Sequence, residues 1–159
     1  MAGDFSLFPE PLGLAAIGDS LVTNQFADMA IIRINAPSQH LKGSGLMGLF
    51  IRGGDLDFKE KEKAEILSLL KKVPTIVDIY LDRPAVIPEI AAASKGLFAD
   101  FGANDDALLD VVFGKFNPQG KLPVEMPSSM EAVRNQKEDV PYDSGSPLFH
   151  FGFGLNYLR

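Results

Sequence analysis

The sequence predicts an α/β domain: a mostly parallel sheet flanked by helices, a three-layer α/β sandwich, ending in a Pro/Gly-rich C-terminal tail. Three observations lead there. Short β-branched runs alternate with stretches of helical spacing from about residue 28 to residue 113, and strands separated by helices pair in parallel through right-handed crossovers. A length of 159 residues suits one domain with a buried core, and 46% hydrophobic residues remove the chain from the disordered class. From Lys115 onward prolines and glycines replace the periodic pattern.

Residues 1–26, with Pro9, Pro11, Gly13 and Gly18, read as an irregular N-terminal segment; residues 27–159 form the α/β domain, in partial form. Asp28 to Ile34 is an Ile-rich run that reads as a buried strand, ended by Ala36-Pro37. Ser38 to Leu56 is a long loop carrying Gly43, Gly45, Gly48, Gly53 and Gly54, and loops of that length in compact domains are commonly functional. Asp57-Phe58-Lys59-Glu60 reads as a capping box, Asp57 accepting from the Glu60 amide. The helix that follows places Ile66, Leu67, Leu70 and Val73 on one face, carries Lys71 and Lys72 in its last turn, and stops at Pro74. Thr75 to Leu81 is a second strand, turned by Asp82-Arg83-Pro84. Ile87 to Ala93 is a short helix with Pro88 in its first turn, and Gly96 to Phe101 a third strand. Asn104 caps a helix whose Leu108, Leu109, Val112 and Phe113 face inward, with Gly114 at its C-terminal stop. Ser128-Ser129-Met130-Glu131 opens a last short helix reaching about Asn135. In the tail, Phe149 to Tyr157, aromatics alternate with small residues.

Several function classes fall away on composition. The net charge is −6 with no basic stripe, so no nucleic-acid partner is expected. Lys59 to Lys63, interleaved with Glu60 and Glu62, reads as a solvated helix face. No apolar run approaches the roughly 20 residues of a membrane helix, so no membrane partner is expected either. Met1 to Phe5 lacks the basic stretch and apolar core of a secretory signal and reads as the start of a fragment; the compartment stays open. The absence of cysteine excludes disulfides, thiolate ligands and Cys nucleophiles. His40 and His150 are isolated, so neither a metal nor a cofactor is expected. Gly152-Phe153-Gly154 precedes no helix that would make it a phosphate cradle.

Three segments are distinctive together: Phe113-Gly114-Lys115-Phe116-Asn117-Pro118-Gln119-Gly120-Lys121-Leu122-Pro123-Val124, then Asp139-Val140-Pro141-Tyr142, then Pro147-Leu148-Phe149-His150-Phe151-Gly152-Phe153-Gly154-Leu155-Asn156-Tyr157. In this order, after α/β units, they resemble the end of the second, α/β-sandwich domain of family 3 glycoside hydrolases of the β-glucosidase type. The strand Ile76 to Leu81 with Arg83-Pro84 resembles that family's strand ending in Arg-Pro. Within the motifs, Gly120 is expected to turn with positive φ and Pro123 to fix an extended exit. Gly152 and Gly154 are expected to allow close backbone approach while Phe151, Phe153 and Leu155 anchor the segment.

The resemblance implies the C-terminal part of an enzyme that hydrolyses β-linked glucose or xylose, packed against an N-terminal catalytic barrel, with a β-linked oligosaccharide as substrate. Retaining glycosidases need two carboxyl groups about 5–5.5 Å apart. By resemblance the nucleophile is an Asp of the barrel, and this chain, without tryptophan, holds no matching Ser-Asp-Trp. The chain alone is therefore expected to be inactive or nearly so. In many relatives the acid/base is a Glu on the loop after the first strand. The corresponding stretch here, Ala36 to Ser44, contains no Glu; aligned on Pro37 and Gly43, His40 stands at that position. Three readings stay open: Asp55 supplies the acid, His40 does so, since imidazole titrates near neutrality, or catalysis is lost. Asp82 and Arg83 at one strand end and Phe101 at the next are the candidate substrate contacts, because open parallel sheets bind ligands at their carboxyl edge. The alternative function is a non-catalytic carbohydrate-binding or interaction module.

Overall fold

The computed structural model describes residues 28–40, 52–137 and 139–157. The N-terminal segment 1–26 and the middle of the long loop, with Gly43 and Ser44, lie outside the described residues. In chain order the elements are β1 (Ala30–Asn35), β2 (Gln39–His40), β3 (Arg52–Gly53), α1 (Glu60–Lys72), β4 (Thr75–Tyr80), α2 (Pro88–Ala93), β5 (Gly96–Asp100), α3 (Asp105–Val112), β6 (Met126–Pro127), α4 (Met130–Asn135) and β7 (Pro147–Phe149).

The three apolar runs form one parallel sheet in the order β1-β4-β5. Ile32 lies opposite Val77 and Ile34 opposite Ile79, while Val77 lies opposite Leu97. The two-residue period of a strand puts these on one face. The strand order advances in one direction, so right-handed crossovers bring α1 and α2 onto that same face. There Ile66, Leu69 and Leu70 of α1 and Ile90 of α2 join Ile32, Val77 and Ile79 in a single apolar core. The opposite face carries Arg33, Asp78 and Asp100, three charges that the alternation of the strands places side by side.

Several local expectations need correcting. Helix α1 starts at Glu60 with Lys59 at the N-cap, and no side chain caps it. Asp57 pairs instead with the Lys63 ammonium at 2.8 Å, and Lys63 reaches Glu89 of α2 at 3.5 Å. Lys63 is thus a largely buried strut between two helices and the loop before them, not part of a solvated face. The strong attraction of Asp57 for a cation one turn away outcompetes the weaker amide bond of a cap. Leu69, passed over in the spacing, is buried beside Ile66 and Leu70. Phe113 does not face inward; it is 58% exposed.

Other local readings hold. Asn104 accepts from the Ala107 amide at 2.9 Å and Ser129 from that of Ala132 at 3.0 Å. Gly114 sits at φ +71 after α3, its amide donating to the Val111 carbonyl. In the tail the close approach falls on Gly154, where a Cβ would collide with the Gly120 carbonyl oxygen. Gly152 has open space around it but φ +76, a left-handed value that favours glycine. Gly120 is not among the positive-φ residues. Phe151, Phe153 and Leu155 do not bury themselves as anchors: all three are exposed. The segment is held by hydrogen bonds instead: Leu122 donates to Phe153 and accepts from Gly152, both at 2.9 Å, the Lys121 ammonium donates to the Gly154 carbonyl at 2.5 Å, and the Tyr157 amide donates to Asn117 at 2.8 Å.

Candidate functional site

The carboxyl ends of β1, β4 and β5 lie along one edge of the sheet. Each opens into a turn: Ala36-Pro37-Ser38 after β1, Asp82-Arg83 after β4 and Phe101-Gly102-Ala103 after β5. Such an edge is where open parallel sheets bind ligands, because the strand ends release chain just where the crossovers have not yet covered it.

Around the β1 end, the base of the long loop is an antiparallel ladder, Gln39 opposite Gly53 and His40 opposite Arg52. Arg83 fastens it from the neighbouring strand. Its two terminal nitrogens donate to the carbonyls of Gly53 and Gly54, both at 2.7 Å. Val86 donates to the Leu56 carbonyl at 2.8 Å and bridges Asp57 in parallel. The planar guanidinium meets two adjacent carbonyls with two separate nitrogens held in a fixed fork, where an ammonium has a single nitrogen.

Opposite the apolar core, Arg33 organises a charge cluster that spans the whole sheet. Its Nε donates to Asp78 at 2.7 Å, Nη2 to Asp100 at 3.2 Å and to the Ala103 carbonyl at 2.9 Å, and Nη1 to Asp105 at 2.5 Å. Asp100 Oδ1 in turn accepts from the amides of Gly102 and Ala103 at 2.7 and 2.9 Å. One cation faces three carboxylates, and the titrations separate accordingly. Asp78 has no accessible surface. Burial first, then the neighbouring Asp100 charge, pushes it up to about 7 against the pull of Arg33. For Asp100 burial also works upward, but the two amides and Arg33 outweigh it and hold the carboxyl below its ordinary value. For Arg33 burial works downward, and the charge of Asp78 with the bonds to Asp100 and Asp105 raises it nonetheless.

The sequence-derived candidates distribute along this edge as follows. Asp82 is exposed and Arg83 half-buried at the centre, beyond β4. Phe101, 56% exposed, stands beyond β5. The backbone of His40 lies in β2, on the β1 side, and Asp55 is an exposed turn residue next to Gly54, which has φ +85. Arg83 brings the β1-side loop to the β4 end by clamping the Gly53 and Gly54 backbone.

Three carboxyl groups do converge, those of Asp78, Asp100 and Asp105, and all three are turned onto the Arg33 guanidinium. Among the described residues no group of three His, Asp or Glu side chains is arranged to hold a metal ion. The Arg33 cluster is what the sequence reading missed. Its signal was present: Arg33 and Asp78 sit inside apolar strands, and a charge in such a run requires a partner.

An open parallel sheet with helices supplied by its crossovers defines an α/β domain. The sequence matches the family model for the glycosyl hydrolase family 3 C-terminal domain over residues 16–157. This chain belongs to glycoside hydrolase family 3, as its C-terminal domain. It is 50% identical over 133 residues to a probable beta-glucosidase C of Aspergillus flavus, covering 84% of this chain and 21% of the relative. It is 38% identical over 135 residues to a periplasmic beta-glucosidase/beta-xylosidase of Dickeya chrysanthemi, covering 84% of this chain and 21% of the relative. In fold it is similar to the beta-glucosidase of Listeria innocua solved with glucose, with a TM-score of 0.67 at 17% identity, over 93% of this chain and 23% of that one. The chain thus spans about a fifth of the length of the curated relatives it matches.

Proposed function

We propose that this domain supplies strand-end loops to one wall of a sugar site, against an N-terminal catalytic barrel that carries the nucleophile. The observation that carries this reading is the gathering of the β1, β4 and β5 turns on one edge, with Arg83 locking two of them together. In that wall Phe101 offers an apolar ring to a pyranose face and Asp82 an acceptor to its hydroxyls, while Arg83 fixes the Gly53-Gly54 backbone on the β1 side. The relatives named as β-glucosidases and β-xylosidases support hydrolysis of terminal β-linked glucose or xylose, with retention, by the barrel and this domain together. The acid/base is supplied from the loop between β1 and α1, with His40 and Asp55 as its candidates, or from outside this chain.

On this reading the isolated chain binds sugar weakly and does not turn it over. Incubation with an aryl β-glucoside should release no aglycone above background, and hydrolysis that survives repurification would refute the proposal. A glucose titration followed by NMR should perturb signals near Phe101 and Asp82. The exposed aromatics beyond α3, Phe113 and Phe116 among them, favour a second reading, an interaction module with no catalytic role. Saturable sugar binding in the absence of any barrel that restores turnover would favour that alternative.

A further inference from the structure

We propose that Arg33 is a positioning residue, which holds the Phe101–Asn104 turn in place from the far strand of the sheet and thereby sets where the Phe101 ring stands. The proposal rests on the reading of Phe101 as part of the sugar-facing edge.

Arg33 belongs to β1, and Phe101 follows β5, with β4 between them. The guanidinium crosses that distance by bonding to every element on the way: Asp78 in β4, Asp100 at the end of β5, the Ala103 carbonyl in the turn and Asp105 in the first turn of α3. Asp100 is the intermediary. One of its oxygens takes Arg33, and the other takes the amides of Gly102 and Ala103. The turn is thus gripped on its carbonyl side by Arg33 and on its amide side by a carboxylate that Arg33 orients. Gly102 sits at φ +111, a backbone conformation that leaves the turn little intrinsic preference for its shape. Phe101 itself is 56% exposed, so packing covers less than half of it. Its position is inherited from the polar network beneath.

The geometry also specifies what cannot replace Arg33. Four acceptors in three directions need the forked, planar donor set of a guanidinium, and a lysine ammonium would keep the charge and lose the reach.

The test is amide hydrogen exchange on the whole chain, read at Gly102 and Ala103 and compared with Val77 and Ile79 in β4. In Arg33→Gln and in Arg33→Lys the two turn amides should exchange at least about tenfold faster, the loss expected for one hydrogen bond to a charged group. The β4 amides should change far less. Because removing Arg33 leaves Asp78 buried and unpaired, the double variant Arg33→Met/Asp78→Leu supplies an apolar pair in place of the charges. It should restore β4 protection and leave the turn loose. Asp105→Asn, on an exposed position, should give a smaller rise at Ala103 and serves if both other backgrounds unfold. Unchanged exchange at Gly102 and Ala103 in any folded Arg33 variant, or in Asp105→Asn where no Arg33 variant folds, overturns the proposal. Glucose titration of the unaltered chain separates the two readings. Silence at Phe101 there sinks its assignment to a sugar wall and leaves the exchange result standing on its own.

Discussion

At the scale of single residues, Asp78 governs how the domain responds to pH. Its ordinary value is 3.8 and its value in the fold is about 7, so between those limits the folded chain holds a proton that the unfolded chain has released. Stability contributed this way is complete below about pH 4 and is lost as pH rises towards 7. Asp100 has the opposite sign: its value is lowered, so its contribution is present above about pH 4 and lost on further acidification. Arg33 faces both, along with Asp105 from α3, and stays charged throughout. Thermal melts should therefore show a maximum in the weakly acidic range and a decline towards neutrality. Asp78→Asn, which cannot ionise, should flatten that decline; a slope retained in the variant would assign it to some other group. Arg83 gives a second residue-scale prediction. Arg83→Lys loses one of two carbonyl bonds at Gly53 and Gly54 and should cost about 1–2 kcal/mol in denaturant unfolding, the worth of a charge-assisted bond. Arg83→Ala should cost more, and equal losses would mean that the second bond contributes nothing.

Between elements, the tail tests whether glycine or aromatic residues hold it. The aromatic rings meet in pairs, Tyr142 tilted against Phe151 at 4.5 Å and Phe149 stacked on Phe153 at 4.9 Å. The join to the turn after α3 is nevertheless made by backbone, at Leu122, Gly152 and Phe153. Gly154→Ala drives a methyl into the Gly120 carbonyl and should destabilise by about 1–3 kcal/mol, the range of overpacking. Gly152→Ala meets no atom and pays only for its left-handed φ, about 1 kcal/mol. Denaturation midpoints that rank the two in reverse would show that contact matters less than conformation here. The same contrast explains what the sequence could and could not reveal about elements. Helix α1 announces itself because it buries one stripe, and strands β1, β4 and β5 because each is a short apolar run bounded by turn residues. So do Asn104 and Ser129, whose caps are bonds within four residues. The start of α1 did not, because Asp57 had two local choices and a cation decided between them. The short strands β2, β3, β6 and β7 carry too few residues to show a period at all. Lys59 at the N-cap offers no acceptor, so Lys59→Ser should add about 1 kcal/mol and raise the midpoint by a few degrees; no gain would mean that the α1 amides are already satisfied by solvent.

For the molecule as a whole, the decisive feature is how unevenly its apolar surface is hidden. The core packs tightly between the sheet and two helices, with Val77 at 0% and Ile66 and Ile79 at 1% exposure. Beyond the sheet, Phe113, Phe116, Phe151 and Leu155 remain exposed, the last at 73%. The sequence marked these residues as apolar, but helical spacing turned Phe113 inward and the tail motif made anchors of Phe151 and Leu155, because neither signal reports what covers a side chain. Exposed apolar surface of this kind marks an interaction face, and this chain matches only 21% of the length of such relatives. In the absence of a covering domain the isolated chain should satisfy that face with itself, held in check only by a net charge of −6. Sedimentation at rising concentration should show reversible association, strengthened by salt as the like charges are screened. Replacing Phe116 and Leu155 with serine should weaken it without lowering the melting temperature, because neither side chain lies in the core. A chain that stays monomeric at every concentration and salt would remove the argument for a docking face. Association that survives both substitutions would move that face elsewhere, with the carboxyl edge of the sheet and Phe101 the next place to look.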